Sequence, residues 1–321
     1  MKSLACRICG SDDTHILPVG QYAEFFRLRV DIGKDQFMLF SRTGTITANP
    51  MSLGARALRK LGRILFSPRV KSARPFRTLM QACASCHGIT PCHEYSFADL
   101  HGLYRDYRSI TYNRDRISVE PGYARIAKDV GAHPLEIMNR NTAIDGFLRK
   151  NASHFAGGSM IDYGGSDGRF LPPFVYAQFE NIHIYDASES PLHVSVDARK
   201  VKKIAIAPPE AYSFLTCMHV LEHVGNPRAL AVEAARLLVP GGLMYIEVPF
   251  ELTLSVRENF AGRIIDTAIT IHEHMNLLDR TSIRTLVGSI LGLELIDDAE
   301  DIVDFGWTKG LIGRFLVRKA D

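Results

Sequence analysis

Residues 159–174 read SMIDYGGSDGRFLPPF, and this stretch decides the fold. A short strand runs up to Asp162. Gly164, Gly165 and Gly168 then let the backbone turn tightly and approach a ligand closely. The next strand, NIHIYDAS, closes on Asp186, 24 residues after Asp162. An acid at the end of a second strand is placed to accept hydrogen bonds from ribose hydroxyls. A glycine-rich turn alone is most often just a turn. Turn, acid and spacing together point to an adenosine-type ligand.

Outward from this turn, short apolar strands alternate with helices. The pattern predicts strands at about 159–163, 181–186, 212–217 and 243–248, and helices at about 168–179, 226–238 and 281–291. LELIDDAEDIVDF and IGRFLVRKA suggest two further strands, and residues 100–150 read as connecting segments with a helix. Such alternation indicates an open α/β sheet that binds ligands at the carboxyl ends of its strands. No internal repeat or low-complexity segment is evident.

The 321 residues are 46% apolar and 23% charged with a net charge of +3, as in an ordinary globular protein of two domains. There is no basic start followed by an apolar core, and no run of about 18 apolar residues, so the expected location is the cytoplasm. Four of the six cysteines form two C-x-x-C pairs, which in a reducing compartment point to metal rather than disulfides. From Gln36 to His93 there is no Asp or Glu, while Arg42, Arg56, Arg59, Lys60, Arg63, Arg69, Lys71, Arg74 and Arg77 fall inside. Within that stretch LGARALRKLGRILF (53–66) has helical spacing of Leu58, Leu61 and Leu65, and Pro68 and Pro75 end any helix.

The segment FLTCMHVLEHVGNPRALAVEAARLLVPGGLMYIEVP (214–249) resembles class I S-adenosylmethionine-dependent methyltransferases, and the likeness extends over roughly 159–249. It implies a Rossmann-like sheet of seven strands, the last antiparallel. In the family's D-x-G-x-G-x-G turn the counterparts here are Asp162, Gly164 and Gly168, with Ser166 where the middle glycine usually stands. That variant resembles the turn of zinc-containing nucleotide-sugar C-methyltransferases. Those enzymes also carry N-terminal cysteine pairs and an H-E-H segment after the fifth strand. The resemblance implies S-adenosylmethionine held by Asp162, Gly164, Gly165, Ser166, Gly168, Asp186 and His219. It makes His274 the proton acceptor, Glu273 its neighbour, and His223 a further site residue. Tyr107 is the matching tyrosine of LYRDYRSITY, with Tyr104 and Tyr112 as alternatives. Two features depart from the family: the spacer between cysteine pairs runs to 73 residues (10–82), and the tyrosine segment is altered.

Each signal has a plainer reading. Cys6, Cys9, Cys83 and Cys86 form two knuckles suited to one structural zinc, against two unrelated pairs of free thiols; His87, Cys92 and His93 are spare ligands. Cys217 reads as a small buried hydrophobe. Glu222 and His223 either belong to the site or orient the helix that begins near Asn226. In IHEHMNLLD (271–279) an extended backbone would put His272 and His274 on one face and Glu273 on the other. An H-x-H pair also suits a catalytic metal, but nothing in the sequence supplies a third ligand and H-E-x-x-H is absent. The basic stretch is a solvated face, an insertion that contacts an anionic nucleotide-sugar or, through residues 53–77, an anionic membrane surface, or an RNA-binding patch; aromatic residues are not interleaved with the cations of 53–75, which disfavours nucleic acid.

The expected protein has a zinc-binding domain over 1–125, including the basic insertion, and a methyltransferase domain over 126–321. The expected reaction is C-methylation of a nucleotide-linked keto-sugar. A base removes the proton next to the carbonyl, and the resulting enolate attacks the methyl group. O-methylation of a sugar or other small acceptor is the alternative, followed by RNA methylation and by binding without catalysis.

Overall fold

In a computed structural model of the chain, the described residues are 5–16, 21–22, 24–29, 77–78, 80–92, 95–104, 106–188, 190–250 and 274–321. His272, Glu273 and the basic stretch through residue 76 lie outside them.

Five strands form the parallel part of the main sheet: β6 (Ser159–Tyr163), β7 (Asn181–Tyr185), β8 (Val201–Lys203), β9 (Tyr212–Met218) and β10 (Leu238–Pro249). With β11 (Leu293–Asp304) and β12 (Lys309–Lys319) the order is β11-β12-β10-β9-β6-β7-β8. Only β12 runs against its neighbours. Central strands of a parallel sheet are covered on both faces, which explains why YSFLTCM is an apolar run with almost every residue buried. The order reverses between β6 and β9, whose register pairs Asp162 with Thr216. Carboxyl ends at such a reversal bound a crevice.

The helices begin where local chemistry dictates. Pro134–Lys150 starts on His133, whose ring accepts from Leu135 N–H, with Pro134 in the first turn. Pro227–Leu237 is capped by the Asn226 side chain, and Arg280–Gly288 by a reciprocal Asp279–Ser282 box. The helix expected at 168–179 is shorter, Pro173–Gln178. Gly168 has φ +79°, and Pro172 is held extended (ψ 164°) because the following proline excludes its helical conformation. The three-residue β8 has no apolar run of its own and was not expected.

The N-terminal part adds a sheet of β1 (Thr14–Ile16), β4 (Met80–Cys83) and β5 (Ile89–Pro91), and a pair of β2 (Gln21–Tyr22) with β3 (Arg77–Thr78). It packs directly on the main sheet's helices: Cys6, Ile8, Cys83 and Cys86 share one apolar cluster with Ile283 and Leu286. A second junction is an antiparallel bridge, with Leu277 N–H donating to Ile89 C=O at 2.9 Å and Ile89 N–H returning at 3.2 Å. Among the described residues no helix is long and apolar enough to cross a membrane.

Candidate functional site

The turn after β6 has little room. A Cβ at Gly165 would sit 2.1 Å from Asp162 Oδ2, and one at Gly164 (φ +75°) 2.5 Å from Val220. Ser166 also adopts the left-handed region, φ 49°, at about 1–2 kcal/mol for a residue with a side chain. Glycine is the usual occupant for that reason. In this conformation Ser166 N–H donates to Asp186 Oδ2 at 2.9 Å while Ser188 N–H donates to Oδ1 at 2.6 Å. The turn and the second-strand acid are thereby one unit. Asp162 is buried beneath them and accepts from Thr216 Oγ1 at 2.7 Å. Burial, with a smaller push from Asp186, raises its carboxyl to about 7 despite that bond.

At the end of β9 the chain takes a second left-handed residue, His219 (φ 55°), whose N–H donates to Glu247 C=O at 2.8 Å. The ring lies between two buried carboxylates, Nε2 3.3 Å from Glu247 Oε1 and Nδ1 3.3 Å from Glu222 Oε1. Glu247 is fully buried and accepts from Arg140 Nη2 at 2.7 Å and Tyr245 OH at 3.0 Å, with Arg314 Nε 3.3 Å away in an ion pair. Burial alone would raise this carboxyl; Arg140, His219 and Arg314 outweigh it and hold Glu247 well below the usual range. Glu247 and Arg140 were not singled out in the sequence, and the only trace of them is the acid in the strand IEVP.

Beyond His219 a short helical turn, Leu221–His223, carries the chemistry-bearing cluster. Asn226 caps the following helix by itself, so Glu222 and His223 are not needed there. The His223 and His274 rings meet with centroids 4.6 Å apart at 82°, and His223 Nδ1 lies 2.9 Å from Tyr104 OH. Tyr104, at the end of the helix Phe97–Tyr104, is thus the tyrosine in contact with the histidines. Tyr107 packs edge-on between Tyr104 and Tyr112, one ring further out. Glu222 is fully buried; burial would raise it, but His219, His223 and His274 hold it at about 2. His274 is positioned by its neighbours, since Met275 and Asn276 N–H both donate to Glu222 C=O, at 2.7 and 3.0 Å.

The cysteine pairs converge from either end of the N-terminal part. Cys6 and Cys86 sulfurs are 3.6 Å apart, Cys9 and Cys83 sulfurs 3.7 Å, and all four lie within 4.8 Å of one another. Metal–sulfur bonds of about 2.3 Å in a tetrahedron give sulfur–sulfur edges of roughly 3.8 Å, so the four residues fit a closed thiolate site. Gly10 (φ +82°) turns the first knuckle, where Ile8 N–H donates to Cys6 Sγ at 3.4 Å. Cys92 stands outside the cluster and His87 is exposed. Cys217 is buried in β9 and its thiol is pushed up by burial.

This topology, with its glycine turn and acid at the reversal, is that of the class I methyltransferases. Residues 137–297, just over half of the chain, match the family described as a methyltransferase domain, and the chain belongs to that family. The ubiquinone biosynthesis O-methyltransferase of Dechloromonas aromatica (strain RCB) is 33% identical over 107 residues, 30% of this chain and 46% of the relative. That of Klebsiella pneumoniae (strain 342) is 37% identical over 59 residues, 18% of this chain and 24% of the relative. The chain therefore spans less than half the length of these curated relatives. Among solved structures, 1,6-didemethyltoxoflavin-N1-methyltransferase of Burkholderia thailandensis, with S-adenosylhomocysteine bound, aligns at TM-score 0.45 and 15% identity, covering 74% of this chain and 98% of that one.

Proposed function

We propose that the protein transfers a methyl group from S-adenosylmethionine to a small-molecule acceptor, and that the acceptor carbon lies over the Tyr104–His223–His274 cluster. The observation that carries this reading is the course of the chain from β9: His219, Val220 and Glu222 run without a break from the glycine turn to the histidine pair. A methyl group held at the turn then faces ionisable side chains. Asp186 takes the ribose hydroxyls, and Asp162, Gly164, Gly165, Ser166 and Gly168 line the methionine side, with His219 at its edge.

The acceptor we favour is a nucleotide-linked keto-sugar, methylated at the carbon next to the ketone, with His274 taking up the proton and Glu273 beside it. The Ser166 turn, the H-E-H segment and the cysteine pairs support it jointly. The division at residues 125 and 126 and a structural zinc at Cys6, Cys9, Cys83 and Cys86 belong to the same proposal. The four-sulfur geometry supports the zinc. O-methylation is a second reading, favoured by the curated relatives' O-methyltransferase names. Mass spectrometry of products from labelled cofactor, offered keto-sugar nucleotides and hydroxylated acceptors in parallel, separates the two. Deuterium uptake next to the ketone in heavy water, with S-adenosylhomocysteine bound, is the result expected for C-methylation. Its absence with an accepted substrate rejects the carbanion route.

A further inference from the structure

The cluster contains a carboxylate ligand that the H-x-H spacing does not reveal. One carboxylate oxygen of Glu222 and one ring nitrogen each from His223 and His274 lie within 4.8 Å of one another. Glu222 comes from 52 residues upstream of His274, so only folding brings the set together.

Glu222 is the independent pointer. Its side chain is fully buried, yet neither carboxylate oxygen accepts a hydrogen bond. His219 Nδ1 is 3.3 Å from Oε1 but is not aligned to donate, and His223 Nε2 is 3.9 Å away. A buried carboxylate faced by imidazoles at 3.3 and 3.9 Å but by no aligned donor is suited to a cation set between them. Around the cluster are also the supports a ligand set requires. Tyr104 OH sits 2.9 Å from His223 Nδ1, leaving Nε2 of that ring towards Glu222. A partner on the second ring nitrogen fixes a ligating imidazole's tautomer and direction. Asn276 Nδ2 donates to Leu221 C=O at 2.9 Å and Val224 C=O at 2.7 Å, clamping the turn that carries two of the ligands to the segment that carries the third.

We infer that Glu222, His223 and His274 form a site for a divalent first-row transition-metal ion, separate from the four-cysteine cluster. Two imidazole nitrogens and one carboxylate suit manganese, iron, cobalt or zinc. Three protein ligands leave positions open, as in a catalytic rather than a structural site. The open side takes oxygen atoms of the acceptor: a carbonyl with a neighbouring hydroxyl, or two adjacent hydroxyls. The inference rests on the methyl-transfer reading for its substrate and changes one role in it, since His274 then holds the ion that polarises the acceptor oxygen instead of taking the proton itself.

The test uses full-length protein and Mn2+ as probe, with free ion measured by electron paramagnetic resonance. Thiolate sites disfavour manganese, so the cysteine cluster does not compete. One Mn2+ per wild-type chain is expected. Binding should be lost in His274→Ala and Glu222→Gln, and weakened about tenfold in Tyr104→Phe, which removes only the outer support. Circular dichroism and S-adenosylhomocysteine calorimetry accompany each variant, and if Glu222→Gln fails to fold, His223→Asn replaces it. Wild type that binds S-adenosylhomocysteine but no Mn2+, or His274→Ala that binds Mn2+ as wild type does, overturns the metal site and leaves methyl transfer standing. Wild type that fails to bind S-adenosylhomocysteine overturns the methyl-transfer reading, and with it the substrate assigned to the site.

Discussion

His223 and His274 meet ring to ring at 4.6 Å although one follows β9 and the other begins the segment leading into the helix Arg280–Gly288. The Glu222 carbonyl joins them by accepting from both Met275 and Asn276. On the proposed reading this edge belongs to the acceptor side of the site, and the cofactor lies at the glycine turn. His274→Asn should therefore keep S-adenosylhomocysteine affinity within about twofold while turnover falls by 10²-fold or more, the usual scale for losing a group that handles the reacting proton or its oxygen. Calorimetry and single-turnover transfer measure the two quantities. A parallel loss of both would place His274 in cofactor binding instead.

Asp162 makes stability depend on pH. Its carboxyl titrates near 7 in the folded chain because of burial, against about 3.9 when unfolded. Between those values the native state holds a proton that the unfolded state has released, so stability falls as pH rises through that window and levels off above 7. The full effect is on the order of 4 kcal/mol at most, from about three units at 1.36 kcal/mol each. Urea unfolding from pH 5 to 8 should show a steeper decline for wild type than for Asp162→Asn. Identical slopes would mean that Asp162 ionises normally.

Glu247 predicts a structural loss. Its carboxylate faces Arg140 and Arg314, both almost fully buried, and Glu247→Gln would leave Arg140 with Glu136 at 3.8 Å and Arg314 with Asp301 as their remaining carboxylate partners. Breaking a buried pair from one side costs roughly 3–5 kcal/mol. Denaturant midpoints should fall accordingly, with a smaller loss in Glu247→Gln,Arg314→Met, where one of the two under-compensated buried cations is also removed.

The sheet was legible because its central strands are apolar runs covered on both faces, as in SMIDY, YSFLTCM and LMYIEV, while NIHIY alternates with only Ile182 and Ile184 buried. The glycine turn and Asp186 were legible for a related reason, since close backbone approach excludes side chains. The carboxylate set was not. Glu222 and Glu247 are ordinary acids in sequence, and what distinguishes them is burial beside Arg140, Arg314 and three histidines drawn from different elements. Nor does spacing choose between Tyr104 and Tyr107, three residues apart at one helix end; the choice depends on which ring reaches His223.

The cysteine cluster carries the last prediction, which couples the two ends of the molecule. The proposed zinc draws together the knuckles at Cys6–Cys9 and Cys83–Cys86, and β5 leaves the second knuckle within three residues. Ile89 of that strand holds Leu277 through two backbone hydrogen bonds, and Leu277 is three residues from His274. The knuckle also presses on the helix Arg280–Gly288: a Cβ on Gly88 would sit 2.2 Å from Ile8 and 3.5 Å from Ser282, so the packing has no slack. Elemental analysis should find one zinc per chain, and Cys86→Ser should lose it. Without metal the four sulfurs have no reason to converge, β5 loosens, and His274 loses its register against Glu222. The glycine turn and Asp186 do not depend on that strand. Cys86→Ser should therefore retain S-adenosylhomocysteine binding to within a few fold while turnover falls by about tenfold or more, since small misplacements at a reacting centre are expensive. Restoring turnover with added zinc in a chelator-treated wild type, but not in Cys86→Ser, is the expected control. Full activity in a zinc-free chain would show that β5 keeps its place by apolar packing alone.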